Sequence, residues 1–178
     1  MPPLRRDRQL RRIVRLLALL GALAASFALA TGFANPPRDR ARVDAADRAL
    51  YDVGARCFTL MRTTSQAFAT ARSRQRLGEA DKAARALVAH MKRCVTRTRK
   101  AKVGTERGTC AKQLMLGSYG TYRAGWAALR GAVKAQRAGK AKQARARFVR
   151  AGTLNRRALG QLRVADVVLR GVRPCPSG

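Results

Sequence analysis

The chain of 178 residues has room for one domain of ordinary size, and its 39 Lys and Arg against nine Asp and Glu give a formal net charge of +30. Hydrophobic residues make up 47% of the sequence but aromatic residues only 5%, which favours helices packed through Ala, Leu and Val over a sheet. So few carboxylates leave little material for acid–base catalysis, whereas the positive charge attracts any polyanion.

Residues 1–34 have the pattern of a secretory signal. Six arginines lie within residues 5–15, residues 16–35 carry no charge, and small-residue motifs at 28–30 and 32–34 offer cleavage sites. Because the uncharged run at 16–35 is about as long as a bilayer is thick, an uncleaved anchor with its N-terminus in the cytoplasm is the alternative. We therefore predict a secreted, periplasmic or cell-envelope protein, with membrane contact only through residues 16–35 if they are retained.

Export changes which polyanion the chain is expected to meet. Without residues 1–34 the chain keeps 33 basic and eight acidic residues, so its charge is not a property of the signal alone. An exported protein does not meet the chromosome, and no DNA-reading motif is present, so sequence-specific nucleic-acid binding is not predicted. The expected partner is an anionic polymer of the envelope or an anionic lipid surface. A cytoplasmic DNA-compacting protein is the interpretation only if the N-terminal pattern is not a signal.

The spacing of apolar residues predicts an all-α fold of four antiparallel helices. The predicted parts are a linker at 35–40, a helical domain at 41–170 with helices at 41–76, 79–100, 109–138 and 140–170, and a C-terminal tail at 171–178. The predicted buried stripe of the first helix is Val43, Ala46, Leu50, Val53, Cys57, Leu60, Thr64, Ala67 and Ala71. That of the second helix is Ala80, Ala84, Leu87, Met91, Cys94 and Thr98.

Two glycines are predicted to turn the chain between helices. Gly78 ends the first predicted helix and Gly139 the third, because a residue without Cβ accepts the left-handed backbone of a helix end. When the sequence is aligned with itself so that Gly78 matches Gly139, several neighbouring residues match as well, among them Gln75 with Gln136. This faint repeat indicates two duplicated helical hairpins.

Four cysteines in an exported chain indicate two disulfides, for which three connectivities are possible. In a hairpin that turns near residue 77, Cys57 and Cys94 lie at similar distances along the chain on either side of the turn. These positions are nearly level across antiparallel helices, so we predict the pair Cys57–Cys94, which leaves Cys110 with Cys175. No C-x-x-C motif occurs and His90 is the only histidine, so no metal site is predicted.

We predict structural rather than catalytic roles for the polar residues that could otherwise suggest a catalytic or metal site, Asp44, Asp47 and His90. Asp44 and Asp47 suit the first turns of the first helix, where a carboxylate complements the helix dipole. His90 is expected in packing or at the surface, since no nucleophile or carboxylate accompanies it. No catalytic residue or cofactor is predicted, and the protein is interpreted as non-enzymatic.

The charge distribution carries the functional prediction. Fourteen basic residues and no acid lie from Arg107 to Arg163. The predicted polyanion-binding residues are Arg130, Lys134, Arg137, Lys140, Lys142, Arg145, Arg147, Arg150, Arg156 and Arg157. A merely solvated basic face is the alternative interpretation. The rival function is an envelope protein-interaction module with an exposed Ala, Gly and aromatic face near Tyr119, Tyr122 and Trp126.

Overall fold

Four long helices and two short helical segments are seen in the computed structural model, which describes residues 36–176. The elements are α1 (Pro36–Arg40), a 3-10 turn (Ala45–Asp47), α2 (Arg48–Ser73), α3 (Leu77–Lys100), α4 (Glu106–Arg137) and α5 (Ala141–Leu169). No strand occurs in residues 36–176, so the all-α prediction is confirmed. Within the same residues, no helix combines the length and the apolar character needed to cross a bilayer. The predicted signal or anchor lies outside the described residues.

The four long helices run alternately up and down. Short turns make each helix antiparallel to the one before it. Helices α2 and α4 are parallel, because Ser65 lies 3.2 Å from the hydroxyl of Tyr122 while Arg72, further along α2, binds Gln136. Arg72 also lies 4.7 Å from the ring centroid of Phe148 near the start of α5. The turns at 73–77 and 137–141 therefore share one end of the bundle, which we call the turn end.

Helices α4 and α5 pack closely because small residues line their contact. A Cβ atom on Gly125 would collide with the side-chain oxygen of Asn155 on α5. The hydroxyl of Ser118 donates a hydrogen bond of 2.7 Å to the carbonyl oxygen of Ala158. Such an approach of two helices needs a glycine at the crossing, which explains why the helix-weakening Gly125 is tolerated inside α4.

Large side chains fill the space between α2 and the other helices. Phe68 of α2 meets Trp126 of α4 edge to face, with ring centroids 5.0 Å apart. The predicted stripe of the first helix is partly wrong, because Leu60 and Ala67 of α2 are exposed, as is Ala46 in the 3-10 turn. The buried residues of α2 are Leu50, Tyr51, Gly54, Cys57, Phe58, Met61, Ser65, Phe68 and Ala71. Burying these larger side chains removes more apolar surface from water than the Ala-rich stripe beside them would. On α3, all six predicted stripe residues are buried.

Both predicted disulfides are present in the structure. Cys57 and Cys94 join α2 to α3 with their Cα atoms 5.9 Å apart, and both residues are buried. Cys110 and Cys175 join the first turns of α4 to the tail after α5, with Cα atoms 6.1 Å apart. The two bonds use all four cysteines of the chain. Each bridge closes one antiparallel pair of helices.

The start of the domain differs from the sequence prediction. Residues 36–40, predicted as part of a linker, form helix α1, and the long helix begins at Arg48 rather than at 41. Arg40 of α1 forms a salt bridge of 2.8 Å with Asp52, and Asp39 one of 3.1 Å with Arg170, which directly follows α5. These ion pairs hold residues 36–40 against the bundle, which the polar sequence of the segment does not indicate.

The first hairpin turns at Gln75 and not at Gly78, which lies in the first turn of α3. The amide of Arg76 donates to the carbonyl of Ala71, and the amide of Gln75 to that of Arg72, which is the Schellman pattern at a helix end. The amides of Lys140 and Gly139 make the same two bonds at the end of α4. In the structure Gln75 is therefore the counterpart of Gly139, and the sequence repeat that matches Gly78 with Gly139 does not describe equivalent positions.

The two turns predict opposite effects of substitution. Gln75 has a φ of 56° and Gly139 one of 70°, a region that costs residues with a Cβ about 1–2 kcal/mol. We expect Gln75→Gly to raise the free energy of unfolding by about 1 kcal/mol and Gly139→Ala to lower it by about as much. Urea denaturation followed by circular dichroism measures both. If Gln75→Gly were destabilising, the left-handed backbone at this residue would be contradicted.

Buried tyrosines predict a loss of stability in alkali. Burial is the main cause that raises the pKa of Tyr122 to about 12, and it also raises the pKa of Tyr119. In the unfolded chain tyrosine ionises near pH 10, so between about pH 10 and 12 the unfolded state loses the proton first. Stability is then unaffected below pH 10 and falls above it by about 1.4 kcal/mol per pH unit for each tyrosine.

The variant Tyr122→Phe separates this effect from lysine titration in the same pH range. Its free energy of unfolding should decline less steeply between about pH 10 and 12 than that of the unchanged chain. Identical slopes for the two proteins would show that Tyr122 ionises as readily in the fold as in the unfolded chain.

Candidate functional site

Most acids of the described chain are already occupied by structural contacts. Asp81, which is 5% exposed, lies 3.2 Å from Arg85 and 3.1 Å from Arg130. Asp39 and Asp166 share Arg170, Asp52 pairs with Arg40, and Glu79 pairs with Arg76. Within residues 36–176, only these five arginines form ion pairs, so most of the 33 basic residues have no carboxylate partner there.

Asp47 has a different role from the one predicted for it. Its buried carboxylate accepts from the amide of Gly104 at 2.9 Å and from the hydroxyl of Thr105. The hydroxyl of Thr105 in turn accepts from the amide of Gly108 and caps α4. Asp44, rather than Asp47, is the cap at the start of the domain, because its side chain accepts from the amide of Ala46. Asp47 is thus a link between the start of α2 and the loop before α4.

The ten predicted binding residues fall into two groups. Arg130 is half-buried and bound to the carboxylate of Asp81, whereas Arg147 is exposed but donates to the carbonyl oxygen of Gly131 at 3.0 Å, so both side chains make structural contacts. The other eight are exposed and extend from α4 through the turn onto α5: Lys134, Arg137, Lys140, Lys142, Arg145, Arg150, Arg156 and Arg157. None of these eight side chains forms an ion pair within residues 36–176.

Two residues that the sequence reasoning missed join the second turn in space. Arg74 and Arg76 are exposed in the first turn, which shares the turn end with Arg137 and Lys140. Arg76 is held only by an exposed pair of 3.3 Å with Glu79, a contact type that contributes about 0–1 kcal/mol. Part of the signal was available in the sequence, since the first and third turns of four helices that alternate in direction lie at the same end.

Arg163 continues the basic surface along α5. At about 100° per residue, Arg145, Arg156 and Arg163 lie within about 20° of one another around the helix axis. Arg150 and Arg157 form a second row, and the exposed residues Ala146, Val149, Thr153 and Gly160 lie between the rows. We call Lys142, Arg145, Arg150, Arg156, Arg157 and Arg163 the α5 face. All six side chains are exposed.

His90 is half-buried and contacts a polar side chain of α2. Its Nδ1 lies 3.3 Å from the hydroxyl of Thr64, and desolvation, followed by the charge of Arg93, lowers the pKa of the imidazole. Among residues 36–176, no three His, Cys, Asp or Glu side chains converge as a metal site requires.

The aromatic face predicted for the rival function is not exposed. Tyr119, Tyr122 and Trp126 are buried in the core of the bundle, where Trp126 packs against Phe68 of α2. Instead, α4 exposes small residues such as Gly117 and Gly120. A Cβ atom built on either glycine has no neighbouring atom within 4 Å. Comparison with known proteins finds no matching family model, curated protein or solved structure for this chain.

Proposed function

We propose that the protein is an exported, non-enzymatic binder of anionic envelope polymers or anionic lipid surfaces, and that it acts through charge. The observation that carries the proposal is the continuous exposed basic surface of the turn end and the α5 face. This surface contains eight of the ten residues expected from the sequence, together with Arg74, Arg76 and Arg163. Since neighbouring acids are occupied by Arg85, Arg130 and Arg170, external anions are the available counter-charges.

Two observations support the exported location in this proposal. Both disulfides join cysteines that are far apart in sequence, and such bonds persist in oxidising compartments outside the cytoplasm. The N-terminal sequence has the composition of an export signal. Protease protection in fractionated cells that produce the full chain tests the location. Accumulation of the protein in the cytoplasm in reduced form would contradict it.

A second candidate function, a protein-interaction module, is favoured by the low charge of one exposed face of α2. Its exposed positions from Thr59 to Thr70 include a single charged residue, Arg62, in a chain that is otherwise strongly basic. A surface with so little charge can approach another basic protein without strong repulsion. If the protein were an interaction module that used this face, its binding would be largely independent of salt.

A salt series separates the two functions. The oxidised full chain is mixed with anionic vesicles, zwitterionic vesicles and a soluble linear polyanion at increasing NaCl concentration. Charge-driven binding should be tight at low salt for the anionic partners and should collapse as salt rises, because counterions are released and charges are screened. Binding through residues 16–35 alone would be equal for both vesicle types. Failure to bind any anionic partner at low salt would overturn the proposed function.

A further inference from the structure

We infer that the ligand of the α5 face is one extended anionic polymer chain that lies along the helix, rather than a bilayer or a small anion. This inference rests on the proposed function and narrows it to one class of partner. It also assigns the contact to five arginines and one lysine on a single helix.

The length of the α5 face favours a chain over a small anion. From Lys142 to Arg163 the helix advances about 31 Å, at about 1.5 Å per residue. A single phosphate or carboxylate meets only one or two of these side chains, since they do not converge on one point. A linear polyanion meets all six in succession. The exposed residues between the two arginine rows, Ala146, Val149, Thr153 and Gly160, are uncharged and have no long side chain, so a polymer chain can lie between the rows.

No carboxylate interrupts this surface. The only acid of α5 is Asp166, which is 1% exposed and bound to Arg170 at 2.6 Å. The six cations of the face have no ion-pair partner within residues 36–176, so a bound chain displaces only mobile counterions. Arginine suits this role because its planar guanidinium binds phosphate or carboxylate through two parallel hydrogen bonds.

The same face lacks the apolar residues with which helices enter a bilayer. Interfacial helices bury Trp, Phe or Leu below the headgroups. On α5 the only large hydrophobic residue that is strongly exposed is Val149, and Phe148 lies beneath Arg72. Tyr and Trp are buried throughout residues 36–176, so bases have no exposed aromatic ring of these types on which to stack. Recognition therefore depends on the charges along the polymer.

The test compares two triple variants with the same loss of charge. The first is Arg145→Gln, Arg156→Gln and Arg163→Gln on the α5 face. The matched control is Arg93→Gln, Arg97→Gln and Arg99→Gln, three exposed arginines of α3. The probes are long-chain polyphosphate, poly-dT and polyglutamate, with tripolyphosphate as the short control and anionic vesicles as the bilayer. Circular dichroism verifies that each oxidised full chain is folded.

We expect the α5 triple to weaken binding of the long chains by about tenfold to a hundredfold at about 0.1 M salt and to reduce the salt slope by about 2. The α3 triple should change binding little, because charges more than about 10 Å from the ligand are screened at this salt concentration. Tripolyphosphate should bind far more weakly than the long chains. Polyphosphate and polyglutamate distinguish a phosphate polymer from a carboxylate polymer as the natural source of the charge.

Three outcomes would overturn the inference while the proposed function stands. Equal losses in the two triples would show binding by net charge with no site on α5. Tripolyphosphate binding as tight as that of the long chains would remove the need for an extended ligand. Anionic vesicles that bind more tightly than any soluble chain and depend on the same three arginines would make the bilayer the partner. If the unchanged protein bound none of the anionic probes, the proposed function itself would fail.

Discussion

The double variant Cys57→Ala, Cys94→Ala is expected to lose roughly 4 kcal/mol of unfolding free energy. The bond joins cysteines that are 37 residues apart, and in the chain-entropy model a loop of this length restricts the unfolded chain by about that amount. Both cysteines are buried between α2 and α3, so the substitutions also remove packed sulfur atoms from the core. The measurement is guanidinium denaturation of the oxidised variant and the oxidised unchanged chain.

The matched control is the pair Cys110→Ser, Cys175→Ser. This bridge joins cysteines that are 65 residues apart, yet Cys175 lies in the exposed tail after α5. Without the bond the tail gains freedom in the folded state, which offsets part of the entropy gained by the unfolded chain. We therefore expect a smaller loss than for the Cys57–Cys94 bridge. If the tail bridge proved the more important of the two, the stability of the helical core would depend on residues 171–176.

Replacing Asp47 with Ala should lower the free energy of unfolding by about 3 kcal/mol. The carboxylate accepts from the amide of Gly104 and from the hydroxyl of Thr105, and a hydrogen bond to a charged acceptor contributes about 1.5–3 kcal/mol. Its loss leaves buried donors of the loop before α4 without their acceptor. The same denaturation experiment measures the effect.

Asp44→Ala is the control, because Asp44 is exposed and only caps the 3-10 turn through the amide of Ala46. A loss of about 1 kcal/mol is typical of such a cap. Gly108→Ala offers an independent check of Asp47, since a Cβ atom on Gly108 would collide with the Asp47 carboxylate. It should destabilise by about 1–3 kcal/mol in the unchanged chain and by less when Asp47 is already Ala. Equal effects in both backgrounds would contradict this contact.

The helices could be predicted because their evidence is local. On α3, apolar residues recur every three or four positions and polar residues occupy the rest, so only one face is suited to burial. On α2, two neighbouring stripes compete, one that contains Leu60 and Ala67 and one that contains Met61 and Phe68. Both stripes have helical spacing, so the sequence pattern does not show which one is buried. In the structure the stripe with Met61 and Phe68 is buried, and Phe68 and Ser65 contact Trp126 and Tyr122 of α4.

The position of the first turn could not be predicted from local sequence either. Glycine is the residue that best accepts a left-handed helix end, so the sequence favours Gly78 for the turn. In the structure Gln75 adopts that backbone, and Gly78 becomes part of α3. With the turn at Gln75, Cys57 lies 18 residues before it and Cys94 19 residues after it, so the two cysteines are level across the antiparallel helices.

The sequence by itself determined the helical class and the excess of basic residues, because composition and helical periodicity are properties of the chain alone. The cysteine pairing also needed the assumption that successive helices lie antiparallel, which the structure confirms. Only the tertiary structure decided which charges are available to a ligand. It places the guanidinium of Arg130 against the carboxylate of Asp81, whereas that of Arg147 is bound to the carbonyl oxygen of Gly131 and stays exposed. The physical reason is that a charge is neutralised or left free by groups far away in sequence, at distances of a few ångströms that only the packed helices define.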